Sequence, residues 1–178
     1  MKKIMKVITG VIVSIVILTG SVFAQTTPKL TDPEIASVAV VANQIDINNA
    51  KIAKQKSKNS DILKFAQTMS DDHSAVIKQA VALVTKLKVT PKDNAVSKKL
   101  LSDAEKTQKG LRAKSGKDFD KAYIDNEVAY HKAVIAAINT LLIPQSQNAE
   151  LKKFLQDVLP AFNTHLEHAE MVQKMFSK

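Results

Sequence analysis

The feature that most constrains this chain is a seam. From residue 62 to 87, Ile62, Ala66, Met69, His73, Val76, Ala80, Leu83 and Leu87 recur at alternating three- and four-residue steps. From 151 to 176 the same rhythm runs through Leu151, Leu155, Val158, Phe162, His165, Ala169, Val172 and Phe176. Such steps straddle the 3.6-residue turn, so each set lines one face of a helix. A helix with one apolar stripe must bury it against another element, and no stretch alternates with the two-residue period of a strand. The expected fold class is all-α.

Turn signals divide the pattern. After residue 24 the only glycines are Gly110 and Gly116, and the prolines are Pro28, Pro33, Pro91, Pro144 and Pro160. A first helix begins at "TDPEI", where Thr31 or Asp32 can cap it, Pro33 suits the first turn and Glu34 complements the dipole. "KNSD" at 58–61 is a turn, and "VTPKDN" ends the second helix near Val89. The lysine-rich segment 95–112 is helical but weakly amphipathic, and "KSGKD" interrupts it. A longer apolar helix spans about 118 to 142, "IPQSQN" turns the chain, and the last helix runs to the C-terminus. Four long amphipathic helices with short turns predict an antiparallel four-helix bundle, with an extra short helix in the connection between the second and third.

Residues 1–24 have the form of an export signal. Lys2, Lys3 and Lys6 precede the apolar "VITGVIVSIVIL", and Val22 and Ala24 are small residues at the cleavage positions. The apolar run of about 17 residues is short for a span of roughly 20. Residues 25–33 then form a linker and 34–178 one domain, with no transmembrane span after cleavage. The chain has no cysteine, which excludes disulfides, thiol catalysis, zinc–thiolate sites and a lipid-modified cysteine. A lysine-led signal without disulfides points to a bacterial periplasm. The net charge is +9, falling to +6 without the three signal lysines, and Arg112 is the only arginine. No stripe of arginine and stacking aromatics exists for nucleic acid. A solvated lysine surface remains, with weak peripheral attraction to anionic envelope lipid. No glycine-rich phosphate loop or serine elbow is present.

Three histidines interrupt the seams. His73 and His165 lie in those quoted above, and His131 shares a stripe with Ile124, Val128, Ile135 and Ile138. Asp46 joins from the first helix on a face with Ala39, Ala42, Asn49 and Ala53; Asp72 adjoins His73, and Glu127 lies one turn before His131. Counted from the nearest turns, Asp46, His73 and His131 all fall about 20 Å along the bundle, whereas His165 falls 5 to 10 Å deeper. Neutral imidazoles and carboxylates converging from facing helices hold iron, manganese or zinc in bundle proteins. The candidate ligands of a divalent metal are therefore His73, His131 and His165, with Asp46, Asp72 and Glu127 assisting, and His168 as a chelating partner at i+3. The alternative is a structural or interaction protein of the envelope, in which Asp46, Asp72, Glu127, Tyr123 and Tyr130 hydrogen-bond the histidines and fix helix register. Phe119, Phe154, Phe162, Phe176 and the methionines are core filler.

"FAQTMSDDH" at 65–73, "SGKDFDKAYIDNEVAYHKAVI" at 115–135 and "LPAFNTHLEHA" at 159–169 resemble an exported bacterial family, the domain of unknown function DUF4142, often labelled as outer-membrane protein. The resemblance extends over about 34–172 and implies a ferritin-like four-helix fold with an export signal, but no established reaction. An outer-membrane barrel does not suit a chain without alternating strands. The family commonly has glutamate where Asp46 falls, so a bridging ligand here is one methylene shorter. Di-iron ferritin sites use Glu-x-x-His motifs, and none of the four histidines has a glutamate three residues earlier. A histidine-rich mononuclear site, or no metal, is the closer match to these residues.

Overall fold

A computed structural model describes residues 28–176, and the export signal expected over 1–24 lies outside the described residues. All regular structure among the described residues is helical: α1 (Asp32–Lys56), α2 (Ser60–Lys86), α3 (Ala95–Arg112), α4 (Gly116–Ala137), a π-helical turn (Ile138–Leu142), the short α5 (Ile143–Gln145) and α6 (Ala149–Lys174). No helix among them is long and apolar enough to cross a membrane.

The helix starts follow from local chemistry. Glu34 accepts from the Thr31 amide at 2.9 Å and from its hydroxyl at 2.7 Å, fixing the first turn of α1. Asn59, Asn94 and Asn148 each offer Oδ1 to two free amides at the starts of α2, α3 and α6. The third long helix differs from the sequence expectation, because it widens into a π turn at Ile138–Leu142 before ending at Gln145. Pro144 supplies a cause: it has no amide to donate and its ring crowds the carbonyl four residues back. Pro160 sits inside α6 without ending it. Its exposed position leaves the unpaired Gln156 carbonyl on the solvent side of the helix.

The four long helices α1, α2, α6 and α4 pack in a closed ring, each against the next. Short turns make α1–α2 and α4–α6 antiparallel. The Asp32 carboxylate accepts from the amides of Gln147 and Asn148, at 2.9 and 3.0 Å, so α1 begins where α6 begins. The one long connection is α3, which lies along α1 from the Asn94–Glu34 contact to the Lys56–Arg112 contact. By spanning the bundle's length, it lets α4 run in the same direction as α2, across the ring from it.

Two apolar clusters fill the ring. One contains Ala50, Phe65, Met69, Phe119, Tyr123 and Ala169, and the other Ile35, Val38, Val76, Ile138, Leu155 and Phe162. On each of the four ring helices one polar candidate falls between the two. Asp46 separates Val38 from Ala50, His73 separates Met69 from Val76, His131 separates Val128 from Ile138, and His165 separates Phe162 from Ala169. The core is thus two oily layers with a polar layer between them.

At the end of α2 the Lys88 amide donates to the Thr85 carbonyl at 3.2 Å and the Val89 amide to the Val84 carbonyl at 2.9 Å. These paired bonds need a left-handed residue just after the cap, and Lys88 adopts it at φ 54°. A side chain there costs about 1 kcal/mol relative to glycine. Lys88→Gly should therefore raise the melting temperature by about 2–4 °C; an unchanged or lower midpoint in thermal circular dichroism would contradict this account of the turn.

Candidate metal centre

The polar layer is built from one imidazole on each of α2, α4 and α6 and one carboxylate on α1. His73, His131, His165 and Asp46 are all buried, with at most 3 % of any residue exposed. One ring nitrogen from each histidine lies within 4.8 Å of the others. Ring centroids are 5.6 Å apart for His73–His131, 5.2 Å for His73–His165 and 5.6 Å for His131–His165. Asp46 Oδ2 stands 3.5 Å from His73 Nε2 and 3.6 Å from His131 Nε2.

The expected depth of His165 was wrong by several ångströms. Residues 146–148 form the turn, so α6 starts only at Ala149, and His165 is 16 residues into it. His131 is 14 residues from the end of α5 at Gln145. At 1.5 Å per residue the mismatch shrinks to about 3 Å; treating turn residues as helical rise had exaggerated it.

Hydrogen bonds set the protonation of each ring. His73 Nδ1 meets Asn43 Oδ1 at 2.7 Å, His131 Nδ1 meets the Glu127 carbonyl at 2.9 Å, and His165 Nε2 meets Asp72 Oδ2 at 2.9 Å. Each partner is an acceptor, so each of these nitrogens carries the hydrogen. The remaining nitrogens (His73 Nε2, His131 Nε2 and His165 Nδ1) are all three buried without a hydrogen-bond partner. Burial pushes the imidazoles of His73 and His131 down to about 2 and about 4, keeping them neutral.

The carboxyls respond oppositely. Burial raises Asp46 to about 7. Burial, and then the charge of Asp46, push Glu127 well above the usual carboxylate range. With both ionised, Asp46 and Glu127 Oε2 would be buried without a partner. Glu127 therefore keeps its proton and donates it to Asp46.

The other candidates take different places. Asp72 is half-exposed and stands behind His165, orienting it rather than joining the inner cluster. His168 lies outside the cluster, with its ring 5.1 Å from that of Phe65. Of the bonds expected of a structural network, Asp72–His165 is formed, while the tyrosines do not reach the histidines: Tyr130 donates to the Ala42 carbonyl at 2.8 Å, and the Tyr123 hydroxyl is buried without a partner. Sequence reasoning missed Asn43, which orients His73. Its spacing, four residues after Ala39 and three before Asp46 on the face of α1, was the available signal.

These residues fit a metal ion. Ligating histidines characteristically donate their second N–H to a carbonyl or carboxylate, and all three do so here. For bonds near 2.1 Å, the edges of a coordination tetrahedron are roughly 3.4 Å. The two Asp46–histidine edges already approach that length.

The opposed pKa shifts give the metal-free protein a defined pH response. An unfolded chain protonates both imidazoles below about pH 6.5, whereas the fold keeps them neutral, so acidification destabilises it. The unfolded chain ionises the two carboxyls near pH 4, whereas the fold holds their protons to about 7 or beyond, so their contribution is lost as pH rises. Between about pH 4.5 and 6.5 these effects oppose each other; above that only the carboxyl loss remains. Unfolding free energy from urea titrations should fall by about 1 kcal/mol per pH unit between pH 6.5 and 8.5, and Glu127→Gln should flatten that slope. A rise, or the same slope in the variant, would refute the assignment.

The chain matches the family model described as Domain of unknown function (DUF4142) over residues 19–172. No curated protein and no solved structure matches it. With six-sevenths of its length inside that match, the chain belongs to the DUF4142 family.

Proposed function

We propose that this protein is an exported bundle of ferritin-like topology that holds one divalent transition-metal ion on His73, His131, His165 and Asp46, sequestering it in the bacterial envelope. The observation that carries this reading is the set of three buried imidazole nitrogens without a hydrogen-bond partner, one on each ring whose other nitrogen is already bonded. Nothing in a purely structural network would use them, and a buried polar atom without a partner costs about 1–3 kcal/mol. Three imidazoles and one carboxylate suit zinc, iron(II) or manganese(II).

A bound ion would supply positive charge to the polar layer and replace the proton that Asp46 otherwise keeps to about 7. Asn43, the Glu127 carbonyl and Asp72 would orient the rings, while the Glu127 carboxyl would donate to Asp46. Four protein ligands close a tetrahedron, as in sites that hold metal, whereas catalytic sites keep a position open. This favours sequestration or stress protection over turnover. The long α3 crossover supports the ferritin-like topology, since such folds use one long connection. Periplasmic location rests on the signal-like residues 1–24, and the lysine excess favours loose association with anionic envelope surfaces.

Calorimetric titration of EDTA-treated protein with zinc tests the proposal. One ion per chain should bind, and His73→Ala, His131→Ala or His165→Ala should each weaken binding more than a hundredfold. Asp72→Asn should cost about 10–100-fold, while His168→Ala should change nothing. Binding should release more protons at pH 6 than at pH 8, because the Asp46 proton is displaced, not a histidine proton. Zinc binding that survives the triple histidine-to-alanine variant, or none in the native chain, would end this reading.

A further inference from the structure

A second feature lies beside the polar layer. A cavity of about 260 Å³ runs between α1 and α4 beneath α3. Its wall along α1 extends from Val38 to Asn49, about 16 Å at 1.5 Å per residue. Alanines make the gap: Ala39 and Ala42 on α1 face Ala133 and Ala137 on α4 across it. Leu100 of α3 and Phe154 and Leu155 of α6 complete a mostly aliphatic lining. An apolar cavity of about 150 Å³ is already enough to hold benzene.

Most polar groups on the wall are occupied. Asn43 accepts from His73 and donates to the Ala39 carbonyl at 2.8 Å. Tyr130 donates to the Ala42 carbonyl. Asn49, at one end of the slot, is 1 % exposed, and its Oδ1 has no hydrogen-bond partner. A ligand with a single donor at one end would satisfy it. At the rim, the exposed Asp103 carboxylate is paired with Lys99 and Lys106. Glu127 lies next to Asn49 in the interior. An anionic head entering this slot would lose its hydration beside acidic groups, with no cation on the wall to replace it.

We infer that the slot between α1 and α4 is a binding site for an uncharged aliphatic molecule carrying one hydroxyl, whose O–H donates to Asn49 Oδ1 while its methylenes lie along the alanine-lined walls. The site does not depend on the metal, although Ala42, Asn43, Tyr130 and Phe162 line both the slot and the small space against His73 and His131. A ligand here would touch the residues that hold the histidines.

The test uses 1-octanol as the probe, titrated into the full chain with and without zinc and followed by calorimetry. Saturable binding at one site per chain is expected in both forms. Octanoate, equal in length but anionic and without a donor, should bind at least tenfold more weakly. Ala39→Phe and Ala137→Phe, which fill the slot from opposite walls, should each weaken 1-octanol at least tenfold and leave the zinc titration unchanged. Where one variant loses its helical circular dichroism, the other decides. No saturable heat, equal affinity for octanoate, or 1-octanol binding that survives the filling variants would overturn the assignment. Zinc binding can fail without affecting any of these outcomes.

Discussion

Everything in the interior depends on three imidazole N–H groups being engaged by acceptors at the edge of the polar layer. Asn43 ties His73 to α1, Asp72 ties His165 to α2, and the Glu127 carbonyl holds His131 on its own helix. Two of these bonds cross between helices, so they fix helix register as well as ring orientation. The same bonds determine which nitrogen is bare. Packing alone would favour leucine at all three positions, because a buried neutral imidazole with one unused nitrogen is a net cost.

The carboxyl side of the layer is tuned to the same end. Asp46 reaches both His73 and His131 with one oxygen, and Glu127 stands next to it with a retained proton. Without an ion, the layer is nearly neutral: two uncharged rings, a protonated glutamic acid and an aspartate poised near pH 7. A divalent ion held there, as proposed, would displace the Asp46 proton and meet the unpartnered ring nitrogens of the layer. Apolar clusters above and below deny the site bulk water, which strengthens each of these electrostatic effects.

Much of this was legible from residue spacing. The seams of α2 and α6 place His73 and His165 on buried faces, and the stripe on α4 does the same for His131. The limits of 95–112 coincide with α3 because Asn94 and the "KSGKD" break are strong local signals. Other features depended on tertiary detail. Asp72 directly precedes His73, so it points about 100° away around the helix and cannot share its target; it meets His165 on α6 instead. His168 lies nearly one turn beyond His165 along α6, where its ring meets Phe65 instead. The π turn and the late start of α6 reset the depth of His165, and neither has a period that a seam can reveal. The left-handed Lys88 occupies a position where glycine would have signalled the turn.

The slot between α1 and α4 also escaped the sequence, because alanine satisfies a helical stripe whether or not its neighbour fills the space opposite. Only packing separates a well-filled alanine face from an unfilled one. X-ray absorption at the zinc edge of the loaded protein tests the central claim most directly. The account predicts four light-atom ligands near 2.0–2.1 Å with the outer-shell scattering of three imidazoles. A spectrum with one imidazole or none, or with only oxygen donors, would show that the inward lone pairs of His73, His131 and His165 do not converge on an ion.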